Sequence, residues 1–223
     1  DDVRHLIPEI FKVVKETEIM LLRNRIFLDR MQGVGVLTKE QALSYGCTGP
    51  VARSTGIPYD VRKDHPYLVY DRFDFDVPIG EDGDNWDRFM VRLEEIRQSI
   101  RIIEQALEQM PDDGPVNVDD PRIVYPDKKD VYTTIEATIA HFKLVMEGLR
   151  VPEGEVYSFT EGGNGELGFH IVSDGSGTPY RVRVRPPCWY NLAASREMLL
   201  GGMIADIIPT FGSVNMIGGE CDR

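Results

Sequence analysis

Cysteine is scarce in this 223-residue chain. Cys47, Cys188 and Cys221 are odd in number, far apart and never spaced as CxxC, which argues against a disulfide framework or a zinc site and favours a reducing compartment. Long apolar runs are also lacking. The run 204–211 is broken by Asp206 and Pro209, so no segment reads as a bilayer span. Positive charge is in deficit, with 25 Lys and Arg against 37 Asp and Glu and a net charge of −12. That balance repels nucleic acid, and no basic cluster with interleaved aromatics offsets it, so no nucleic-acid partner is expected. No basic, apolar leader opens the chain, and the Asp1-Asp2 start reads as that of an excised or processed chain. His5, His65, His141 and His170 are scattered, and neither HExxH, GxSxG nor a P-loop occurs. A self-contained active site is therefore not expected.

What is present is enough for a core. Hydrophobic residues make up 42% and charged residues 28%, as in an ordinary globular domain. The length allows one large domain or two small ones, and a single domain over 1–223 is expected. Pro8 opens a helical stretch in which Ile10, Val13, Val14, Thr17, Met20, Leu21, Asn24 and Leu28 recur at helical spacing until Gly33 and Gly35. Thr38 and Gln41 form a capping-box pair for a short helix. Residues 46–66, rich in Gly and Pro, predict irregular chain. A long helix starts at Asp84 or Asn85, with Trp86, Phe89, Met90, Leu93, Ile96, Ile100, Ile103, Leu107 and Met110 as its apolar stripe and Pro111 as its stop. Residues 127–149 are again helical. His141 adjoins the apolar face there and reads as a packed or capping residue. The period then changes, and 156–160, 167–172 and 180–185 alternate as strands. A final helix runs over 191–208, closed by Pro209. The fold class is α+β, mainly helical, with a small antiparallel sheet inserted before the last helix.

Three motifs need weighing. Gly163-Asn164-Gly165-Glu166-Leu167-Gly168 matches GxGxxG, but a strand follows it instead of a helix, so it reads as a hairpin turn. The acidic run Glu81, Asp82, Asp84 and Asp87 lacks EF-hand spacing and reads as a loop capping the next helix. Arg181, Arg183 and Arg185 form a basic stripe on one face of a strand. Exposed arginines with carboxylate partners within the chain are its ordinary reading. A docking surface for an acidic partner chain is its functional one. The tail, with Gly218 and Gly219, lets backbone approach closely to another group. Val214, Met216 and Ile217 in that tail suit a buried segment or a cavity lining.

Ordered segments along the chain carry a resemblance. They include Asn24-Arg25-Ile26 to Asp29-Arg30, then Gly33-Val34-Gly35, and Gly46-Cys47-Thr48-Gly49-Pro50-Val51-Ala52-Arg53-Ser54-Thr55-Gly56. Asp60-Val61-Arg62-Lys63 to Pro66-Tyr67 and Tyr70 follow, with Phe75-Asp76-Val77-Pro78, Arg88 to Arg92, and His141-Phe142-Lys143. Val172-Ser173-Asp174-Gly175 to Pro179-Tyr180-Arg181, Gly219-Glu220 and Asp222-Arg223 complete the series. Together they resemble the 49 kDa family, the large, quinone-facing subunit of complex I type NADH:quinone oxidoreductases. That family is related to nickel–iron hydrogenase large subunits. The match implies a hydrogenase-like long-helix bundle, of which this chain is the carboxyl-terminal part. The family's headgroup-binding histidine and tyrosine belong to the amino-terminal half, which does not correspond to this chain.

By the same resemblance, the hydrogenase's second CxxC pair falls at Ile217 and Glu220, neither a cysteine, with Cys221 displaced by one position. One displaced thiol does not supply the converging thiolates that nickel and iron require, so no metal is expected. The hydrogenase's arginine-bearing loop falls at Gly163-Asn164-Gly165, where complex I relatives usually keep proline and a basic residue. The family commonly has aspartate at position 215 and valine at position 217. Asn215 keeps hydrogen bonding without the charge, and Ile217 adds one methylene. The resemblance implies that Asn215, Ile217 and Glu220 line part of a quinone slot beside the terminal iron–sulfur cluster of a neighbouring subunit. It implies quinone as substrate, with NAD and iron–sulfur clusters in partner subunits and none on this chain. Its partners are then the other peripheral-arm subunits and a membrane subunit at the quinone entrance. Its place is the cytoplasmic side of the cell inner membrane, peripherally bound. The alternatives are a non-catalytic assembly fragment, or the large subunit of a hydrogenase-like energy-converting complex.

Overall fold

A computed structural model of the protein describes residues 2–111 and 113–222, so Asp1 and Arg223 lie outside the described residues. The helices in chain order are α1 (Asp2–Leu21), α2 (Arg25–Met31), α3 (Lys39–Tyr45), α4 (Pro50–Arg53), α5 (Val61–Asp64) and α6 (Asn85–Gln109). Helices α7 (Lys128–Thr133) and α8 (Ile135–Met146) precede the strands β1 (Gly154–Gly162), β2 (Gly165–Ser173) and β3 (Arg181–Arg185). Then come α9 (Pro187–Ala193), α10 (Ser195–Leu199), α11 (Ile207–Val214) and α12 (Gly218–Cys221). The three strands form one sheet in the order β1-β2-β3. The fold is α+β and mainly helical, as the sequence pattern implies. Among the described residues no helix is long and apolar enough to cross a membrane.

The chain divides into two compact units. The first contains Asp1–Gln109, Phe159–Gly168 and Arg185–Arg223, and the second Met110–Ser158 and Phe169–Val184.

In the first unit, α6 is the centre, touching α1, α2, α4 and α11. The acidic run before it caps it as expected: Asp84 Oδ1 accepts from Asp87 N at 2.8 Å, and Asp87 Oδ2 accepts from Glu81 N and Asp82 N at 2.8 and 2.6 Å. The Thr38–Gln41 capping box is formed in both directions at the start of α3. A hydrophobic cluster of Leu37, Ala42, Val51, Ala52, Ala194, Met198 and Val214 forms the local core.

Several boundaries differ from the sequence reading. Pro8 lies inside α1, where it removes one backbone bond, and does not open the helix. The stretch also breaks at Leu22–Asn24. Asn24 does not continue the apolar face, because its side chain accepts from Ile26 N and Phe27 N and so starts α2. Residues 46–66 include the single-turn helices α4 and α5 within otherwise irregular chain. The 127–149 helix is interrupted at Thr134, which caps α8. The last predicted helix is broken into α9, α10 and the start of α11; after α10, Gly201 takes φ 83° and leaves the helical region. Pro209 sits in the first turn of α11, where a missing N–H costs nothing, and does not close a helix.

The face that α6 buries also differs. Asn85, Arg88, Val91, Leu93, Ile100 and Ile102 are buried, while Ile96, Ile103 and Met110 of the predicted stripe stay exposed. Polar side chains belong in that interior because much of what α6 packs on is irregular backbone with free carbonyls.

Arg53, only 1% exposed, anchors the turn-rich segment. Its guanidinium donates to Glu95 at 2.8 Å, Glu161 at 2.9 Å and the Tyr59 carbonyl at 2.9 Å, with Asp60 at 3.7 Å. Asp60 is in turn held by Arg62 at 2.6 Å. Burial pushes the Glu161 carboxyl up, Arg53 pulls it down, and the nearby Asp60 pushes it up again. Burial likewise works against ionised Asp60, yet Arg62 and Arg53 hold it below the usual carboxylate range.

In the second unit, α7 and α8 form a helical hairpin in which Thr138 Oγ1 donates to Val131 O at 2.6 Å. His141 is exposed beside the Tyr125 ring, 5.8 Å away, and is not packed into a core. Helix α8 buries none of its residues, and Ile135, Phe142 and Met146 are all exposed.

Removing Arg53 would leave three carboxylates around a buried vacancy. Arg53→Met is expected to destabilise the first unit by about 3–5 kcal/mol, read as a lower urea midpoint. An unchanged midpoint would show that the cluster adds nothing net.

Candidate functional site

The Gly46–Gly56 loop and the β1–β2 turn are built around each other. Gly49 has φ 68°, and a Cβ there would lie 2.5 Å from the Asn164 carbonyl oxygen. A Cβ on Gly165 would lie 2.4 Å from Thr48 Oγ1. Glycine at both positions lets two backbones touch. Thr48 Oγ1 accepts from Glu166 N at 3.1 Å, and Asn191 Nδ2 donates to the Asn164 carbonyl at 3.1 Å. The GxGxxG match is thus part of a hairpin: Gly163 and Asn164 make the turn after β1, and β2 begins within the motif at Gly165. Unlike a typical turn residue, Asn164 is buried.

Of the basic stripe, Arg185 is used within the first unit. It donates to the Gly46 carbonyl at 2.8 Å and the Glu166 carbonyl at 2.6 Å, and its guanidinium lies 4.7 Å from the Tyr190 ring centre.

Cys188 is fully buried at the start of α9, where Pro187 takes a first-turn position. Its thiol accepts from Asn164 Nδ2 at 3.3 Å and from Ile217 N at 3.4 Å. Its backbone N donates to Glu220 Oε2 at 2.9 Å. Asn215 Nδ2 donates to Asn164 Oδ1 at 3.0 Å. Asn215, Ile217 and Glu220, expected together from the sequence, are therefore gathered around Cys188 and Asn164. Asn215 is the left-handed C-cap of α11 at φ 56°, which turns the chain so that the tail comes back over α9. The Ile217 side chain is 49% exposed. Burial, then the hydrogen bond to Glu220, pushes the Cys188 thiol up to about 11. Burial does the same for Cys47.

Two arginines of α6 hold this tail from below. Arg92 donates to the Ser213 and Val214 carbonyls at 2.5 and 3.1 Å. Arg88 donates to Ser213 Oγ, Gly83 O, Gly35 O and Asn85 Oδ1. All these acceptors are neutral, and burial lowers both guanidinium pKa values to about 10, so both remain charged at neutral pH. Sequence reasoning missed Asn164, Cys188, Arg88 and Arg92 as site-builders. An Asn-Gly pair in a turn and arginines beside an apolar stripe both signal solvent, and burial is visible only once the backbone is placed.

The site does not fit a nickel–iron centre. The thiols near it are Cys188 and Cys221, and among the described residues no three His, Cys, Asp or Glu side chains converge to hold a metal ion. A separate apolar recess of about 550 Å³, lined by Phe27, Met31, Phe89 and Arg92 among others, includes none of Asn215, Ile217 and Glu220.

Fold and site together define a mainly helical α+β protein whose tail closes over a hairpin turn, with no cluster of metal ligands among the described residues. The family model described as the 49 kDa subunit of respiratory-chain NADH dehydrogenase matches residues 1–223, and the chain belongs to that family. It is 64% identical to a D-type chain of the NADH-quinone oxidoreductase of Sorangium cellulosum, over 99% of its length and 55% of the relative's. It is 57% identical to the corresponding D-type chain of Myxococcus xanthus over 95% of its length and 51% of the relative's. It is 54% identical to that of Pelobacter propionicus over 92% of its length and 50% of the relative's. The chain thus spans about half the length of these curated relatives.

Glu220→Gln removes the carboxylate beside the thiol. The pH profile of Cys188 alkylation, followed by peptide mass spectrometry, is expected to move down while that of Cys47 stays in place. An unmoved Cys188 profile would show that burial alone raises its pKa.

Proposed function

We propose that this chain is part of a proton-pumping NADH:quinone oxidoreductase and supplies one wall of its quinone slot. The observation that carries the reading is the tail of a 49 kDa family chain, where Asn215, Ile217 and Glu220 gather on Cys188 and Asn164 with no metal-ligand set among the described residues. A quinone needs an apolar wall with a few polar contacts, and the half-exposed Ile217 beside Asn215 and Glu220 has that composition. NAD and the iron–sulfur clusters reside in partner subunits and supply the electrons. This chain's residues bind, orient and set the local field. Its partners are the other peripheral-arm subunits, including the cluster-bearing neighbour, and a membrane subunit at the quinone entrance. It sits peripherally on the cytoplasmic side of the inner membrane.

A second reading is a non-catalytic assembly role. The uncovered apolar residues of α8, with Val13, Ile19 and Met20 of α1, favour it, because such surfaces mark sites of interaction with other chains. A hydrogenase-like energy-converting complex is disfavoured by the donor set.

In the assembly captured from native membranes with an antibody to this chain, NADH:quinone reductase activity that vanishes with a quinone-site inhibitor is expected. An assembly retaining its partners but lacking that activity would favour the scaffold reading. Ile217→Trp is expected to abolish quinone reduction while sparing electron flow from NADH to an artificial acceptor. Unchanged rates for both would remove Ile217 from the slot.

A further inference from the structure

The sheet leaves β3 hydrogen-bonded to β2 alone, so its outer edge is open. Arg181 and Arg183 are exposed on that strand, and among the described residues neither has an ion pair or side-chain hydrogen bond. Arg185, the third member of the stripe, is consumed by the Gly46 and Glu166 carbonyls. Tyr180, just before the strand, is 75% exposed, and Val182 is 46% exposed. These two unpaired guanidiniums lie in a chain whose net charge is −12.

We propose that the outer edge of β3 docks an extended, acidic segment of a partner subunit, which adds to the sheet as a further strand. An open edge presents backbone donors and acceptors in a row, which an extended peptide satisfies and a compact ligand does not. Arg181 and Arg183 are two residues apart, so their side chains leave one face about 7 Å apart. A segment with carboxylates at alternate positions matches that spacing across the pair. A second copy of β3 would set arginine against arginine. The row of backbone donors and acceptors along an open edge selects an extended peptide over an anionic lipid surface or nucleic acid. Assigning the segment to a partner subunit rests on the reading that the chain works inside a multi-subunit assembly.

The test places the photo-crosslinker p-benzoylphenylalanine at Val182 in the assembly isolated from native membranes. Irradiation is expected to give an adduct with an Asp- or Glu-bearing segment of another subunit. Its yield should fall at least tenfold in the R181E/R183E variant and also fall for the unchanged arginines in 0.5 M salt. No adduct, an adduct with lipid, with a second copy or with the same polypeptide, or a yield indifferent to both charge reversal and salt would overturn the proposal. The adduct is read whether or not the assembly reduces quinone, so this result and the proposed activity can fail separately.

Discussion

Buried guanidinium groups bind the irregular parts of the first unit to its long helix. A charge taken out of water is destabilising unless its hydrogen-bonding capacity is filled. Arg53 and Arg88 meet that condition in two ways, and Arg92 meets it only in part, since its buried Nε has no partner among the described residues. Arg53 is matched by Glu95 and Glu161, with Asp60 close by, and also takes the Tyr59 carbonyl. Arg88 and Arg92 have neutral partners, chiefly carbonyls of loops and of the last turn of α11. Segments such as 33–37 and 79–84 have few backbone ladders of their own, and an arginine offers five donors in a fixed fork. One side chain thus satisfies several strands of chain at once, which an apolar residue of equal volume would not do.

The candidate site inherits its shape from that arrangement. The last carbonyls of a helix lack partners within the helix, and Arg92 supplies them for Ser213 and Val214. The guanidinium also lies at the negative end of the α11 dipole, where positive charge is favourable. With α11 ended there, Asn215 turns left-handed and the following residues fold back over Cys188. The positions of Ile217 and Glu220 therefore depend on side chains of α6 that are distant in sequence.

Much of the scaffold was legible in the residues. The start of α6 is written in Asp84 and Asp87, the start of α3 in Thr38 and Gln41, and the sheet in a change of period near residue 156. These signals are local, because each depends on side chains a few positions apart. The breaks were harder to see. Asn24 fits a helical face by spacing, yet its side chain caps α2, and the choice is made by packing outside the window. The buried face of α6 was misread for the same reason. Periodicity ranks residues by apolarity, but the wall that α6 meets is rich in carbonyls and selects arginine. For the site, the resemblance supplied Asn215, Ile217 and Glu220 as a group and marked the loop that holds Asn164, while Cys188 had no signal in sequence that set it apart.

Two departures from the family pattern become one when placed in space. The sequence carries asparagine at 215, where the resemblance implies aspartate, and asparagine at 164, in the loop where it implies a basic residue. These positions are 51 residues apart, yet Asn215 Nδ2 meets Asn164 Oδ1 at 3.0 Å. An aspartate and a basic side chain at such a contact would compensate each other's charge. A charge left alone at 164 would be poorly solvated, since that position is buried, whereas position 215 is exposed. Two amides avoid that penalty, because each has both a donor and an acceptor. Asn164 uses its oxygen for Asn215 and its nitrogen for the Cys188 thiol, so the pair keeps the hairpin turn joined to the tail. The two segments thus stay in contact through amides, with no charge at either position.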